Sequence, residues 1–182
     1  MELFSGRPEN TEGRLAREVR VYEYLDRLGI PYGRADHPEM PAMSMEDCRR
    51  IEGVLGTPIC KNLFLTNRQQ TAFYLLLMPG EKPFKTKELS SQISSARLSF
   101  ASPEQMLAFL DIEPGAASLM GLMNDRGNRV RLLVDEDLLK EEYFGCHPCV
   151  NTSTLKMKTA DAFETFLPST GHTMTTVHLT GE

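Results

Sequence analysis

The sequence predicts an α+β fold: a single domain over residues 1–182, built on a curved, mixed or antiparallel β-sheet with helices packed against it. Two observations support this class. Amphipathic helical segments with capping residues alternate with apolar strands, and the strands follow both hairpin turns and longer crossover connections. With 182 residues, the chain is long enough to bury a sizeable core in one domain.

Two helices are predicted in the first third of the chain. Arg14 to Leu28 carries apolar residues at helical spacing before Gly29, a residue typical of helix C-termini. These apolar residues are Leu15, Val19, Tyr22, Leu25 and Leu28. A second helix is predicted from Met45 to Leu55, with Ser44 as its N-cap and Gly56 after its end. We expect Met40, Met43 and Met45 to line the core or a cleft.

A hairpin follows the second helix. Leu63-Phe64-Leu65 has the composition of a buried strand, residues 66–70 that of a turn, and residues 71–78 that of the returning strand. Lys61 therefore lies where the first strand begins. A lysine in this position is either a solvated edge charge or, if it faces a pocket, a cation suited to a phosphate, a carboxylate or a developing oxyanion.

The remaining elements are predicted from the same signals. Ser102 and Gln105 have the spacing of a capping box, with Pro103 at the first helical position. Asn124-Asp125 is predicted to turn the chain into a strand that begins at Arg129. The other predicted elements are an extended segment over 31–37, helices over 86–93 and 159–167, and strands over 153–157 and 173–179.

The composition is that of an ordinary water-soluble globular protein. The formal net charge is −5, which argues against a general nucleic-acid binder but allows contact with one charged end of a tRNA. No stretch approaches the length of a membrane span, and the N-terminus lacks a signal-peptide pattern. We therefore expect a cytoplasmic location, no membrane contact, and reduced cysteines.

The densest group of chemically active side chains is the run from Gly145 to Thr154. It contains His147, Asn151 and Thr152 among further hydroxyls and thiols. Pro148 disfavours helical backbone at His147, so the imidazole is expected to leave an extended segment in a defined direction. The alternative is a polar turn that closes a hairpin.

Three blocks of the sequence resemble the signature blocks of the YbaK/ProX family, in this order: residues 61–65, residues 115–125, and residues 147–152. This is a family of free-standing aminoacyl-tRNA editing deacylases related to the editing domain of prolyl-tRNA synthetases. The resemblance spans roughly Tyr22 to Val177 and is strongest to the ProX branch. It implies hydrolysis of misacylated tRNA, with alanyl-tRNA(Pro) as the expected substrate. The chain departs from the family pattern at Leu119-Met120 and at Cys149.

The resemblance also implies the site. Lys61 and His147 are expected to be catalytic, and the substrate-binding residues are expected to be Asn62, Ser118, Gly121, Asn151 and Thr152. Asn62 could instead bond main-chain groups at the start of its strand. Neither a metal nor an organic cofactor is implied. The expected partner is the acceptor end of an aminoacyl-tRNA, with a prolyl-tRNA synthetase or an elongation factor as a further partner.

Two other functions compete with editing. A binding module would keep the pocket and bind aminoacyl-tRNA or a free amino acid without turnover. A thiol oxidoreductase would use Cys146 and Cys149, which form a C-x-x-C motif, although the extended pattern after Pro148 lacks the helix that such sites use. A metal site at the same cysteines would need further ligands, of which Cys60, His172 and His178 are candidates; the two histidines are otherwise expected at the surface.

Overall fold

The computed structural model describes residues 1–42 and 44–182. It contains nine strands: β1 Leu3–Ser5, β2 Gly33–Asp36, β3 Cys60–Asn67, β4 Phe73–Pro79, β5 Leu98–Phe100, β6 Val130–Asp135, β7 Tyr143–Cys146, β8 Ser153–Lys158 and β9 Met174–Val177. The α-helices are α1 Ala16–Leu28, α2 Met45–Leu55, α3 Thr86–Gln92, α4 Pro103–Leu110, α5 Glu136–Leu139 and α6 Leu167–Ser169. A 3-10 helix spans Leu119–Asn124 and a π-helical segment spans Asp161–Phe166.

The strands form two sheets, which confirms the α+β class. One sheet has the order β1-β2-β8-β7 and is antiparallel throughout. The other has the order β5-β3-β4-β6-β9, in which β6 lies parallel to both β4 and β9. The strand pattern predicted one curved sheet and did not indicate this division into two.

The sheets approach each other at one edge of β3. Ile59 forms an isolated parallel bridge with Gly145, and the amide of Gly145 donates to the carbonyl of Pro58 at 2.8 Å. A side chain at position 145 would meet Leu55 and Ile59 at 3.0 and 3.1 Å. Glycine therefore permits this close approach.

The caps predicted for the helices that end at Leu28, span Met45–Leu55 and begin at Pro103 are confirmed. The Ser44 side chain accepts from the amide of Asp47, and Ser102 forms a complete capping box with Gln105. Gly29 and Gly56 end α1 and α2 in left-handed conformations, with φ of 72° and 70°. These signals are local, so tertiary packing does not override them.

Three predictions from the pattern need correction. In α1, Leu15 is exposed and Val21 is buried in its place, because the helix turns Val21, Tyr22 and Leu25 toward the core. The helix predicted over 159–167 is present, but its middle, Asp161–Phe166, is π-helical, and the Thr159 hydroxyl at its start is buried with no described partner, so it is not a cap.

His172, the third correction, is buried rather than exposed at the surface, because Nε2 pairs with Asp125 at 2.8 Å. Of the methionines, Met40 packs beside the apolar face of α2 and Met45 lines a cavity, whereas Met43 lies outside the described residues.

Candidate active site

The main candidate site is a cavity of about 440 Å³ at the free edge of β3. β5 covers only Leu65 to Asn67, and β7 touches the chain at Ile59, so the stretch between these contacts is uncovered. The amide of Ala101 donates to the Phe64 carbonyl, which means that alternate residues along β3 present main-chain groups to this edge. The main-chain groups of Asn62 therefore point at the gap.

The cavity wall is largely apolar, and a few polar groups converge on it. These are Arg49, Glu52, Lys61, Asn62, Glu81 and His147, together with the thiols of Cys48 and Cys60. A largely apolar cavity of this size with few polar groups is typical of a small-molecule site. The cavity thus brings together Lys61, Asn62 and His147 from distant parts of the chain.

Lys61 is a half-buried cation in this cavity. Its Nζ donates to the main-chain carbonyl of Lys82 at 2.8 Å, and none of the described carboxylates forms an ion pair with it. Burial lowers the pKa of Lys61 below its usual value. A lysine that keeps its charge here lacks a protein counter-ion, so the site is suited to an anionic group or a developing negative charge.

His147 lies at the inner end of the cavity and is 7 % exposed. Its Nδ1 lies 3.1 Å from the carbonyl oxygen of Ser153, which can only accept, so Nδ1 carries the proton. Burial lowers the pKa of His147 to about 4, which keeps the imidazole neutral at physiological pH. The remaining nitrogen, Nε2, is then an acceptor with no partner among the described residues.

Asn62 presents a second unused acceptor. Its Nδ2 donates to the main-chain oxygen and the sulfur of Cys60, at 3.1 and 3.3 Å. Its Oδ1 is buried without a hydrogen-bond partner among the described residues. Buried polar atoms are normally paired, so a ligand that donates a hydrogen bond would satisfy this one.

The middle block of the sequence divides between the cavity and the core. Gly115, with φ of 89°, and Ala117 line the cavity. Ser118 does not line it: this side chain is fully buried and caps the 3-10 helix by accepting from the amide of Met120. Gly121 packs in the core, where an added Cβ would lie 2.6 Å from Ile112. The structure thus places Ser118 and Gly121 in the core and not on the cavity wall, whereas the sequence led us to expect both in contact with substrate.

Asn151 and Thr152 line a second cavity of about 470 Å³. Their carbonyls accept from the amides of Ala42 and His37, which ties their loop to the segment after β2. Pro114 lines both cavities, so the loop that carries it separates them. The structure thus does not place Asn151 and Thr152 with Lys61 and His147.

The second cavity has a charged wall that sequence reasoning missed. Arg14 pairs with Asp36 at 2.9 Å and with Glu18, and the Ser153 hydroxyl donates to Asp36 at 2.7 Å. Arg34 also pairs with Asp36, at 3.1 Å. These pairs connect the start of α1 to β2 and β8. Their spacing in the sequence carries no period, so only the fold reveals them.

The thiols do not form a reactive pair. Cys146 and Cys149 are free and buried, and burial raises the pKa of the Cys149 thiol to about 12 and that of Cys146 well above its usual value. The neutral thiol is therefore the stable form, whereas redox chemistry requires the thiolate. No helix begins within the motif. This geometry does not support the oxidoreductase alternative.

The rim of the first cavity carries an exposed aromatic ring, which the sequence did not single out, and an exposed cation. Phe100, at the end of β5, is 64 % exposed and contacts the edge of Phe84 with ring centroids 6.3 Å apart. Arg49, on α2, is exposed and lines the same cavity. An exposed aromatic ring near a cation is typical of sites that bind unpaired nucleotides.

Comparison with known proteins identifies the class. Residues 39–165 match the family described as the aminoacyl-tRNA editing domain. This match covers more than half of the chain and includes both Lys61 and His147. The chain belongs to the aminoacyl-tRNA editing domain family.

Individual relatives confirm the ProX resemblance. The chain is 29 % identical over 159 residues to the prolyl-tRNA editing protein ProX of Acetoanaerobium sticklandii. This alignment covers 87 % of this chain and 95 % of the relative. It is 31 % identical over 170 residues to the prolyl-tRNA synthetase associated domain-containing protein 1 of Xenopus laevis. This alignment covers 91 % of this chain and 98 % of the relative.

A solved structure shares the fold. A crystal structure described as a candidate trans-editing enzyme for prolyl tRNA synthetase superposes with a TM-score of 0.68 over 91 % of this chain and 99 % of its own. The identity is 15 %, so this likeness concerns the fold alone. Among the described residues, no helix is long and apolar enough to span a bilayer.

Proposed function

We propose that this protein is a cytoplasmic aminoacyl-tRNA deacylase that removes alanine from mischarged tRNA(Pro). The observation that carries the proposal is the shared cavity of Lys61 and His147, in which an unpaired cation and a neutral, accepting imidazole face one space. The family match and the ProX relative supply the class of substrate.

The reaction adds water to the carbonyl carbon of the ester and breaks the bond from that carbon to the ribose oxygen. The ribose oxygen takes a proton, and free amino acid and intact tRNA leave. Lys61 stabilises the negative charge that develops on the carbonyl oxygen or holds the terminal phosphate. His147 accepts a hydrogen bond at Nε2 from the attacking water or the substrate amino group. Asn62 Oδ1 accepts from the same amino group.

The size of the cavity supports a substrate larger than an amino acid. A space of about 440 Å³ lies in the range that takes drug-sized ligands. We propose that alanine occupies the inner end beside His147 and that the terminal adenosine lies outward, with its base on Phe100 and its phosphate near Arg49. The wall formed by Gly115 and Ala117 would exclude proline by steric clash.

Recruitment of tRNA needs a partner on this view. The net charge of −5 gives little long-range attraction for a polyanion, and the cavity adds only local cations. A prolyl-tRNA synthetase or an elongation factor that already holds the tRNA would supply the missing affinity.

The test is deacylation of alanyl-tRNA(Pro) and prolyl-tRNA(Pro) by wild type, Lys61→Ala and Lys61→Arg. We expect selective release of alanine and a loss of about 100-fold or more in Lys61→Ala, the usual effect of removing one group that stabilises an oxyanion. Lys61→Arg should retain part of the rate if charge alone matters.

Lys87→Ala is the matched control, because Lys87 is an exposed lysine on α3 outside the cavity. Its rate should equal that of wild type. Wild-type protein that hydrolyses neither substrate nor a panel of serine-, cysteine- and threonine-charged tRNAs, yet binds tRNA, would replace the proposal with a binding module.

A further inference from the structure

Three buried polar side chains form a hydrogen-bonded chain behind the candidate active site. His37 follows β2, Thr154 lies in β8, and His147 follows β7; they are 4 %, 0 % and 7 % exposed. Thr154 Oγ1 lies 2.8 Å from His37 Nε2 and 3.3 Å from His147 Nδ1. His37 Nδ1 lies 3.0 Å from the carbonyl oxygen of Met40.

The proton positions in this series of hydrogen bonds follow from the two main-chain carbonyls at its ends, those of Met40 and Ser153. The Met40 carbonyl can only accept, so His37 Nδ1 carries a proton and, in the neutral ring, Nε2 accepts. Thr154 must then donate its single hydroxyl proton to His37 Nε2. The hydroxyl oxygen is left to accept from His147 Nδ1, which also donates to the Ser153 carbonyl at 3.1 Å.

We propose that Thr154 and His37 are positioning residues that hold His147 as the Nδ1-protonated tautomer, with the lone pair of Nε2 directed into the cavity. The proposal rests on the proposed function, in which that lone pair accepts from water or substrate. Neither residue reaches the cavity wall. Both therefore act through His147.

A role of the Thr154 hydroxyl in orienting His147 can be distinguished from a role in packing by substitution at position 154. If Thr154 only filled space, valine of nearly equal shape would serve as well. If Thr154 orients the imidazole, valine leaves His37 Nε2 without its donor and frees the His147 ring from one of two acceptors at Nδ1. Serine would restore both contacts, because the hydroxyl is the functional part.

The experiment compares wild type with Thr154→Val and Thr154→Ser by ¹⁵N NMR of the imidazole nitrogens and by steady-state deacylation of alanyl-tRNA(Pro). Wild type should show His147 protonated at Nδ1 and unprotonated at Nε2. Thr154→Val should shift the nitrogen resonances of both histidines and lower kcat about tenfold, with KM nearly unchanged. Thr154→Ser should return the spectrum and kcat toward wild type.

Thr57→Val is the matched control, because the buried Thr57 hydroxyl donates to the Tyr143 carbonyl away from the histidines. It should leave the imidazole spectrum unchanged. The proposal is overturned if wild-type His147 carries its proton at Nε2, a result that needs no variant to fold, or if Thr154→Val leaves spectrum and kcat unchanged. Inactive wild type with the expected spectrum would instead refute the deacylase function.

Discussion

At the scale of single residues, burial does most to define the chemistry of the site. His147 is held neutral because burial removes the water that would solvate the imidazolium, and this effect outweighs the hydrogen bond to the Ser153 carbonyl, which by itself raises the pKa. Lys61 keeps a charge without a carboxylate partner in the described chain. The two residues thus offer an acceptor and a cation to the same small space, which is the pairing that ester hydrolysis needs.

The neutral histidines predict a loss of stability in acid. Burial lowers the pKa of His147 to about 4 and also lowers that of His37, whereas an unfolded histidine titrates near 6.5. The unfolded chain therefore binds protons first as the pH falls. We expect the free energy of unfolding to fall between pH 6.5 and pH 4, by up to about 3 kcal/mol from His147.

Urea unfolding at pH 7 and pH 4 measures this effect in wild type and His147→Asn. The variant should lose less stability over that interval than wild type. His178→Asn serves as the control, because His178 is an exposed histidine whose side chain pairs only with Glu136 among the described residues, and its curve should stay closer to that of wild type than the curve of His147→Asn. A His147→Asn curve parallel to wild type would contradict a depressed pKa at His147.

At the scale of elements, the short strand β5 shapes the cavity by ending early. It pairs with β3 over only three residues, so the edge of β3 stays open beyond it and Phe100 projects at the end. A longer β5 would close the site. The sequence pattern did not identify β5, β1 or β7, because three or four residues alone are too few to show a period; β2 and β9, which have four residues each, were found within longer segments predicted as extended.

Phe100 on this strand is expected to stack on the terminal base of the substrate. Phe100→Ala should raise KM for alanyl-tRNA(Pro) about tenfold with a smaller effect on kcat, since stacking contributes roughly 1–3 kcal/mol per base. Phe100→Tyr should keep the wild-type KM. Leu107→Ala removes a comparably exposed apolar side chain outside the cavity, and a KM increase there equal to that of Phe100→Ala would refute the stacking role.

The predictable part of the site followed from local signals, and the rest depended on tertiary contact. The hairpin placed Lys61, and Pro148 set the backbone at His147, so both reach the cavity. Ser118 and Gly121 lie near Gly115 in the sequence, but the 3-10 helix turns them into the core. Thr154 lies in the polar run from Gly145 that the sequence singled out, but no pattern assigned it a role, because a threonine in a strand is ordinary until its neighbours are known.

At the scale of the whole molecule, the negative net charge predicts that tRNA binding depends only weakly on salt concentration. The chain carries 25 acidic and 20 basic residues, so under the proposed function we expect the cations in the cavity and on its rim to make the main favourable contacts with the tRNA. With about two phosphate contacts, from Lys61 and Arg49, the logarithm of the binding constant should fall with the logarithm of salt concentration at a slope of about −1.4.

A titration of tRNA binding in increasing potassium chloride tests this expectation. Raising the salt from 50 to 200 mM should weaken binding about sevenfold, far less than for a protein that follows the tRNA backbone. Arg49→Ala should flatten the slope by about 0.7. A slope several times steeper in wild type would reveal a basic surface that contacts the body of the tRNA.

The bridge between Ile59 and Gly145 also aligns the two candidate catalytic residues. Lys61 lies two residues after Ile59, and His147 lies two residues after Gly145. The bridge therefore fixes the position of the cation relative to the imidazole. Sliding one sheet by one residue would part the two groups by about 3.3 Å, whereas misplacement by 1 Å can already cost about 100-fold in rate. The relative position of the two groups is thus set by a main-chain contact between the sheets.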